Sequence, residues 1–217
     1  MTNTSANSPA KTFDIWAKDD RADAMENEHW PFVKQAFDRI PESAGNYLEI
    51  GVGTGYAIRH MATHQFSHGR CLGLDASREM AALAGQRCQD LRNVVIQHAD
   101  FLSADLADRP EFSVIFSMEV FYYFRDIQKG IEKAFSALKP GGQLWVLVDY
   151  YAENDIALDW PERYQIPITL WSMADYRNGF LNAGFSQVEQ TQFVDSRKSE
   201  NLPKTRGTLC TFGTRPK

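Results

Sequence analysis

The sequence predicts an open α/β sheet with helices on both faces. Short apolar runs recur from about residue 46 onward, helical periods separate them, and most of the runs end at a Gly, Asp or Ser. Five runs, at residues 47–50, 70–74, 93–99, 112–117 and 143–149, are nearly continuous in apolar residues. Continuous runs mark strands buried on both faces of a parallel sheet. Between them, Met80, Leu83, Ala84 and Cys88 recur at helical spacing, as do Ile127, Ile131, Ala134, Phe135 and Leu138 behind an Asp126 N-cap. Lys139-Pro140-Gly141-Gly142 stops that second helix, and Ser172-Met173-Ala174-Asp175 reads as a capping box for a last helix closing at Gly184. Two more strands are expected near residues 187–194 and 208–213. Their polar-apolar alternation places both at the exposed edge of the sheet. Ligands of such sheets bind beyond the C-terminal ends of the strands, where strand order reverses.

At 217 residues the chain suits one domain. Residues 1–11, rich in Ser, Thr, Asn and Ala, are expected as a disordered tail, 12–42 as a helical cap, and 43–217 as the sheet domain. Within that domain, residues 150–171 lack strong periodicity and are expected as a lid or binding insert. No run approaches the length of a membrane span. The formal net charge of −5 disfavours a bulk nucleic-acid partner. Cys71, Cys88 and Cys210 are widely spaced and odd in number, which fits a reducing, cytoplasmic setting rather than a disulfide framework.

The first run leads into Glu49-Ile50-Gly51-Val52-Gly53-Thr54-Gly55. Alternate glycines let a backbone turn tightly and approach a ligand at a helix N-terminus. The third glycine of a dinucleotide fingerprint would fall at Tyr56 and is missing, and no Gly-Lys-Ser/Thr of a P-loop follows. An acid two residues ahead of the glycines suits a cationic ligand better than a pyrophosphate. Asp75, about 20 residues on, is placed to accept from a ribose diol or to cap the next helix. Asp100 with Phe101 is placed to meet an adenine amino group and ring, or is a turn aspartate beside a core aromatic.

The ordered set resembles the class I S-adenosylmethionine (SAM)-dependent methyltransferases. It comprises E-x-G-x-G-x-G, Leu74-Asp75, Ala99-Asp100, Phe116-Ser117-Met118-Glu119-Val120 and Lys139-Pro140-Gly141-Gly142, across residues 43–150. The resemblance implies a Rossmann-like three-layer sandwich around a seven-stranded, mostly parallel sheet with an antiparallel last strand. It implies SAM as cofactor and methyl transfer to a small-molecule acceptor. Carried over by residue, Glu49, Gly51, Gly53 and Gly55 would face the methionine half. Asp75 would hold the ribose, with Ala76 near the adenine, and Asp100 and Phe101 would hold the base. Ser117 would lend its backbone carbonyl to the amino group. Ser113 departs from the pattern, standing where the family often has an acid, at the strand end remote from the cofactor.

The acceptor side is less legible. His29 is a candidate base or a structural cap residue, and Arg21 a candidate partner for the SAM carboxylate or a surface cation. Tyr151 is a candidate catalytic residue. Glu119, Tyr122, Tyr123, Tyr150 and Trp160 are expected to edge the acceptor cavity, with aromatics and acids suited to an amine or an aromatic acceptor. The Asn/Asp-Pro-Pro-Tyr sequence of many nucleic-acid and glutamine N-methylating enzymes is absent after the fourth run. His60 and His64 have a metal-compatible spacing without a third ligand, so no metal is expected. The competing readings are a SAM-binding protein without turnover, a nucleotide-dependent oxidoreductase and, within the same fold, an aminopropyl transferase.

Overall fold

The computed structural model describes residues 8–19, 21–43, 45–106, 111–195 and 207–217. Its centre is a seven-stranded sheet in the order β3-β2-β1-β4-β5-β7-β6. The strands are β1 (Asn46–Ile50), β2 (Cys71–Asp75), β3 (Val94–His98), β4 (Phe112–Met118), β5 (Leu138–Val148), β6 (Ser186–Phe193) and β7 (Thr208–Thr214). β1 to β5 pair in parallel, and β7 runs antiparallel to both β5 and β6. Strand order reverses between β1 and β4, so the ends of these two strands open a crevice.

The helices are α1 (Pro9–Trp16), α2 (Arg21–Phe37), α3 (Tyr56–Thr63), α4 (Arg78–Arg87), α5 (Ile127–Ala137), α6 (Trp160–Tyr164) and α7 (Met173–Ala183). Two apolar layers flank the sheet. One joins Leu48, Ile50 and Ile115 to Ile131 of α5 and Phe180 of α7, and the other joins Tyr47, Phe116 and Trp145 to Phe37 of α2 and Met61 of α3. β4 is buried along its whole length, as a strand covered on both faces must be. The expected caps are present. Asp126 accepts from Lys129 N at 3.0 Å, and Ser172 and Asp175 form a reciprocal box.

Three sequence expectations need correction. Residues 9–11 are not tail but the first turn of α1, because Ser8 caps the helix and Pro9 supplies a preset φ at its start. Residues 1–7 lie outside the described residues. β5 begins directly at Leu138, since Gly141 (φ 78°) and the unbranched Gly142 let the chain pair with β4 at once. Of the last two strands only β6 lies at an edge. β7 is buried between β5 and β6, and Trp145 stacks on Phe212 with centroids 4.2 Å apart. Among the described residues no helix is long and apolar enough to cross a membrane.

Gly55 and Gly53 both have positive φ, at 82° and 53°, but for different reasons. A Cβ on Gly55 would stand 2.9 Å from the Ala84 Cα of α4, whereas one on Gly53 would meet nothing within 4 Å. Gly55→Ala should therefore destabilise the fold by about 2–4 kcal/mol, and Gly53→Ala by about 1–2 kcal/mol. Denaturant unfolding of both variants checks this order. Equal losses would show that Gly55 is not a packing glycine.

Candidate functional site

A cavity of about 420 Å³ opens at the C-terminal ends of β1, β2 and β4. Its floor is the glycine loop. Gly51, with φ 72°, lies so close to Val120 that a Cβ would meet the Val120 Cγ2 at 2.2 Å. Asp75 fixes the loop. One carboxylate oxygen accepts from Gly53 N and the other from Ser77 N, both at 2.8 Å. Partial burial raises Asp75 to about 6 against these two bonds. Each oxygen keeps a second lone pair for a ligand hydroxyl. Ser77, rather than Asp75, is the N-cap of α4, accepting from Met80 N.

Two buried carboxyls face the cavity from neighbouring strands. Glu49 accepts from the Tyr47 hydroxyl at 2.8 Å, and burial raises it to about 8. Glu119 accepts from the Tyr122 hydroxyl at 2.8 Å and from Asp149 N at 2.5 Å, and burial pushes it well above the usual carboxylate range. Glu119 also has φ 60°, a left-handed conformation rare for a side-chain-bearing residue. Asp100 bonds Leu102 N at 2.7 Å beside Phe101, Ala76 and Met80, which together form an apolar slot past Asp75.

Helices α1, α2 and α6 roof the crevice. Phe13 and Trp16 of α1 meet Tyr123 and Tyr164 edge to face, at 5.5 and 5.4 Å between centroids. Asp14 latches α1 to α4 by accepting from the Ser77 hydroxyl at 2.6 Å and Glu79 N at 3.1 Å. Arg87 of α4 grips Glu26 of α2 through both guanidinium arms and donates to Thr54 of the glycine loop. His29 is half-buried on the cavity wall, where loss of solvent lowers it to about 4 and keeps its imidazole neutral at pH 7.

The structure thus brings Glu49, Gly51, Gly53, Asp75, Ala76, Asp100, Phe101, His29, Glu119, Tyr122, Tyr123 and Trp160 to one cavity. It separates five others. Tyr151 is fully buried elsewhere, donating to Gly207 O and accepting from Gln192, so its hydroxyl ties β5 to the sheet's far side. Tyr150 backs the wall behind Tyr122 and Trp160 without lining it. Ser117 still lies inside β4, its hydroxyl on Ile50 O, and the lining begins one residue later at Met118. Gly55 packs on α4. Arg21 is exposed and stacks over Trp16 at 4.8 Å, outside the lining. Trp16 of the expected cap and Tyr164 of the expected insert join the walls, together with Phe13, which the sequence reading had not singled out. Ser8-Pro9, a capping residue before a proline, is the signal that marks α1.

Residues 18–190 match the methyltransferase-domain family. A putative methyltransferase from Haloferax volcanii, solved in complex with its Trm112 activator, is 33% identical, with a TM-score of 0.82 over 94% of this chain and 98% of that one. The chain belongs to the class I SAM-dependent methyltransferases. The N-methyltransferase NodS of Bradyrhizobium japonicum, solved with S-adenosylhomocysteine, shares the fold at 19% identity and TM-score 0.73, covering 97% of this chain and all of that one. Among curated relatives, phosphoethanolamine N-methyltransferase 2 of Caenorhabditis elegans is 28% identical over 84% of this chain and 41% of its own length. The uncharacterized methyltransferase YcgJ of Bacillus subtilis is 30% identical over 52% of this chain and 43% of its own. The chain therefore spans less than half the length of these two curated relatives.

The cofactor of this family is SAM, and the cavity fits its charge. Five carboxylates line it, those of Glu28, Glu49, Asp75, Asp100 and Glu119, and no Lys or Arg does so among the described residues. A cation favours the ionised acids, so a sulfonium seated beside Glu49 would draw off its proton. SAM affinity should rise with pH from 6 toward 8, by up to about tenfold per unit. Calorimetric titration across that range should show the slope, with Glu49→Gln flatter. A flat wild-type profile would place Glu49 away from the cation.

Proposed function

We propose that this chain transfers a methyl group from SAM to a small-molecule acceptor. The observation that carries the reading is one continuous cavity, with polar strand ends at its base and an aromatic roof above. When bound, SAM supplies a methyl group on an electrophilic sulfonium. Glu49 and the Gly51 and Gly53 backbone hold its methionine end, Asp75 its ribose hydroxyls, and Asp100, Phe101 and Ala76 its adenine. Tyr122, Tyr123, Trp160 and His29 surround the acceptor. Their contribution is orientation and exclusion of water, which can supply much of the barrier lowering in a displacement reaction. His29, with its pKa near 4, is a weak base, so its role is to shape the wall and accept hydrogen bonds.

Asp75 also braces the glycine loop, so Asp75→Ala should lower affinity for S-adenosylhomocysteine by about a hundredfold or more through two lost roles. Calorimetry with S-adenosylhomocysteine, and NADH as control, measures this. Tight binding of NADH instead would replace the methyltransferase reading with an oxidoreductase one. His29→Ala should lower turnover more than cofactor affinity, and the reverse would move His29 to the cofactor side. The Haloferax volcanii neighbour favours a second reading, in which an activator protein completes the enzyme. Micromolar binding of S-adenosylhomocysteine by the purified chain alone would dispose of it.

A further inference from the structure

The upper half of the cavity carries more chemistry than a generic acceptor needs. Its walls are the rings of Trp16, Tyr122, Tyr123, Trp160 and Tyr164. Trp160 lies within 6.3 Å of both Tyr122 and Tyr164, centroid to centroid, so the rings form a connected set rather than isolated contacts. Trp16 and Tyr164 already attract a cation on their outer side, where the Arg21 guanidinium sits 4.8 and 6.0 Å from the two centroids. Ring faces of this kind attract cations, most strongly where water is excluded.

Glu119 stands beneath these rings. It is buried, its backbone is held in a left-handed conformation, and its carboxyl is fixed by Tyr122 and Asp149 N. Strain kept at a buried acid on a cavity wall marks a residue held for its chemistry. Glu28 adds a second acid to the lining, and no described lining residue brings a cationic side chain. An acceptor with a carboxylate or phosphate would meet several carboxylates and no partner. An acceptor with an ammonium group would meet an acid and a set of rings.

We infer that the acceptor is an amine without an anionic group, held by Glu119 and the aromatic walls, and that the chain is an N-methyltransferase. This rests on the methyltransferase reading above. The buried Glu119 carboxyl releases its proton to solvent as the ammonium binds beside it, and the carboxylate then takes one proton from the ammonium. The freed nitrogen lone pair then forms the new N–C bond while the S–C bond breaks and its electron pair stays on sulfur, leaving a neutral thioether. The methylated ammonium departs with its remaining protons, and Glu119 returns its own to solvent.

The test uses the full chain saturated with S-adenosylhomocysteine and three probes of one shape, benzylamine, benzyl alcohol and benzoate, with tyramine and tryptamine as larger amines. Calorimetry should show the best amine binding at least about tenfold tighter than the alcohol, the scale of a charge-assisted hydrogen bond, and benzoate weakest. Glu119→Gln should collapse the amine-to-alcohol ratio, and Trp160→Ala should reduce it. A ratio taken on one protein sample does not depend on how much of a variant is folded. Methyl-labelled SAM should pass label to the amine that binds best. Equal or tighter binding of alcohol or benzoate, or no measurable binding of any amine, overturns the inference. Failure of S-adenosylhomocysteine to bind would instead count against the lone chain as the active enzyme and favour the activator-completed reading, and the same probes on the cofactor-free chain would still measure the charge preference.

Discussion

The arrangement of this cavity depends on one carboxylate. Asp75 ends β2 and accepts two backbone N–H bonds, one from the loop after β1 and one from the start of α4. The first holds Gly53 in a left-handed turn that few residues adopt unaided. The second orients Ser77, whose hydroxyl reaches Asp14 of the roof. Floor, wall and roof therefore meet within a few bonds of one side chain. Burial opposes its charge, and the two N–H donors offset part of that cost.

Much of the fold was legible because parallel strands are covered on both sides. The runs ending at Ile50, Leu74 and Ser117 are apolar for a reason that does not depend on distant partners. The edge was harder. β7 alternates in sequence like an exposed strand, but its polar residues Thr208 and Thr211 are buried and bonded, to Asp149 and Gln190 respectively. Alternation reports polarity, and a satisfied threonine can sit inside a sheet.

At the site, the legible residues were those whose backbone does the work. Glycines with positive φ and acids at strand ends have positions fixed by the strand itself. Tyr151 and Tyr150 were misjudged because adjacent residues leaving a strand point to opposite sides, and the direction depends on a loop whose course the sequence does not state. Tyr151 turns toward Gly207 and Tyr150 packs behind Trp160. Arg21 was judged by charge, but its planar guanidinium found an aromatic face first. The start of the roof helix was placed at residue 12 rather than 9 because its first turn follows a polar stretch and resembles it in composition.

That short helix sets the tempo of the molecule. Eight residues form a marginal helix in water on their own. α1 is held by a serine cap, an aspartate latch and a few ring edges, none of which belongs to the sheet. An element held in this way is expected to open locally, on the microsecond-to-millisecond scale of lid motions, before the seven strands separate. Ligand exchange is thereby uncoupled from global unfolding. The residence time of a cofactor becomes a property of the latch, adjustable in either direction without touching any residue that grips the cofactor itself.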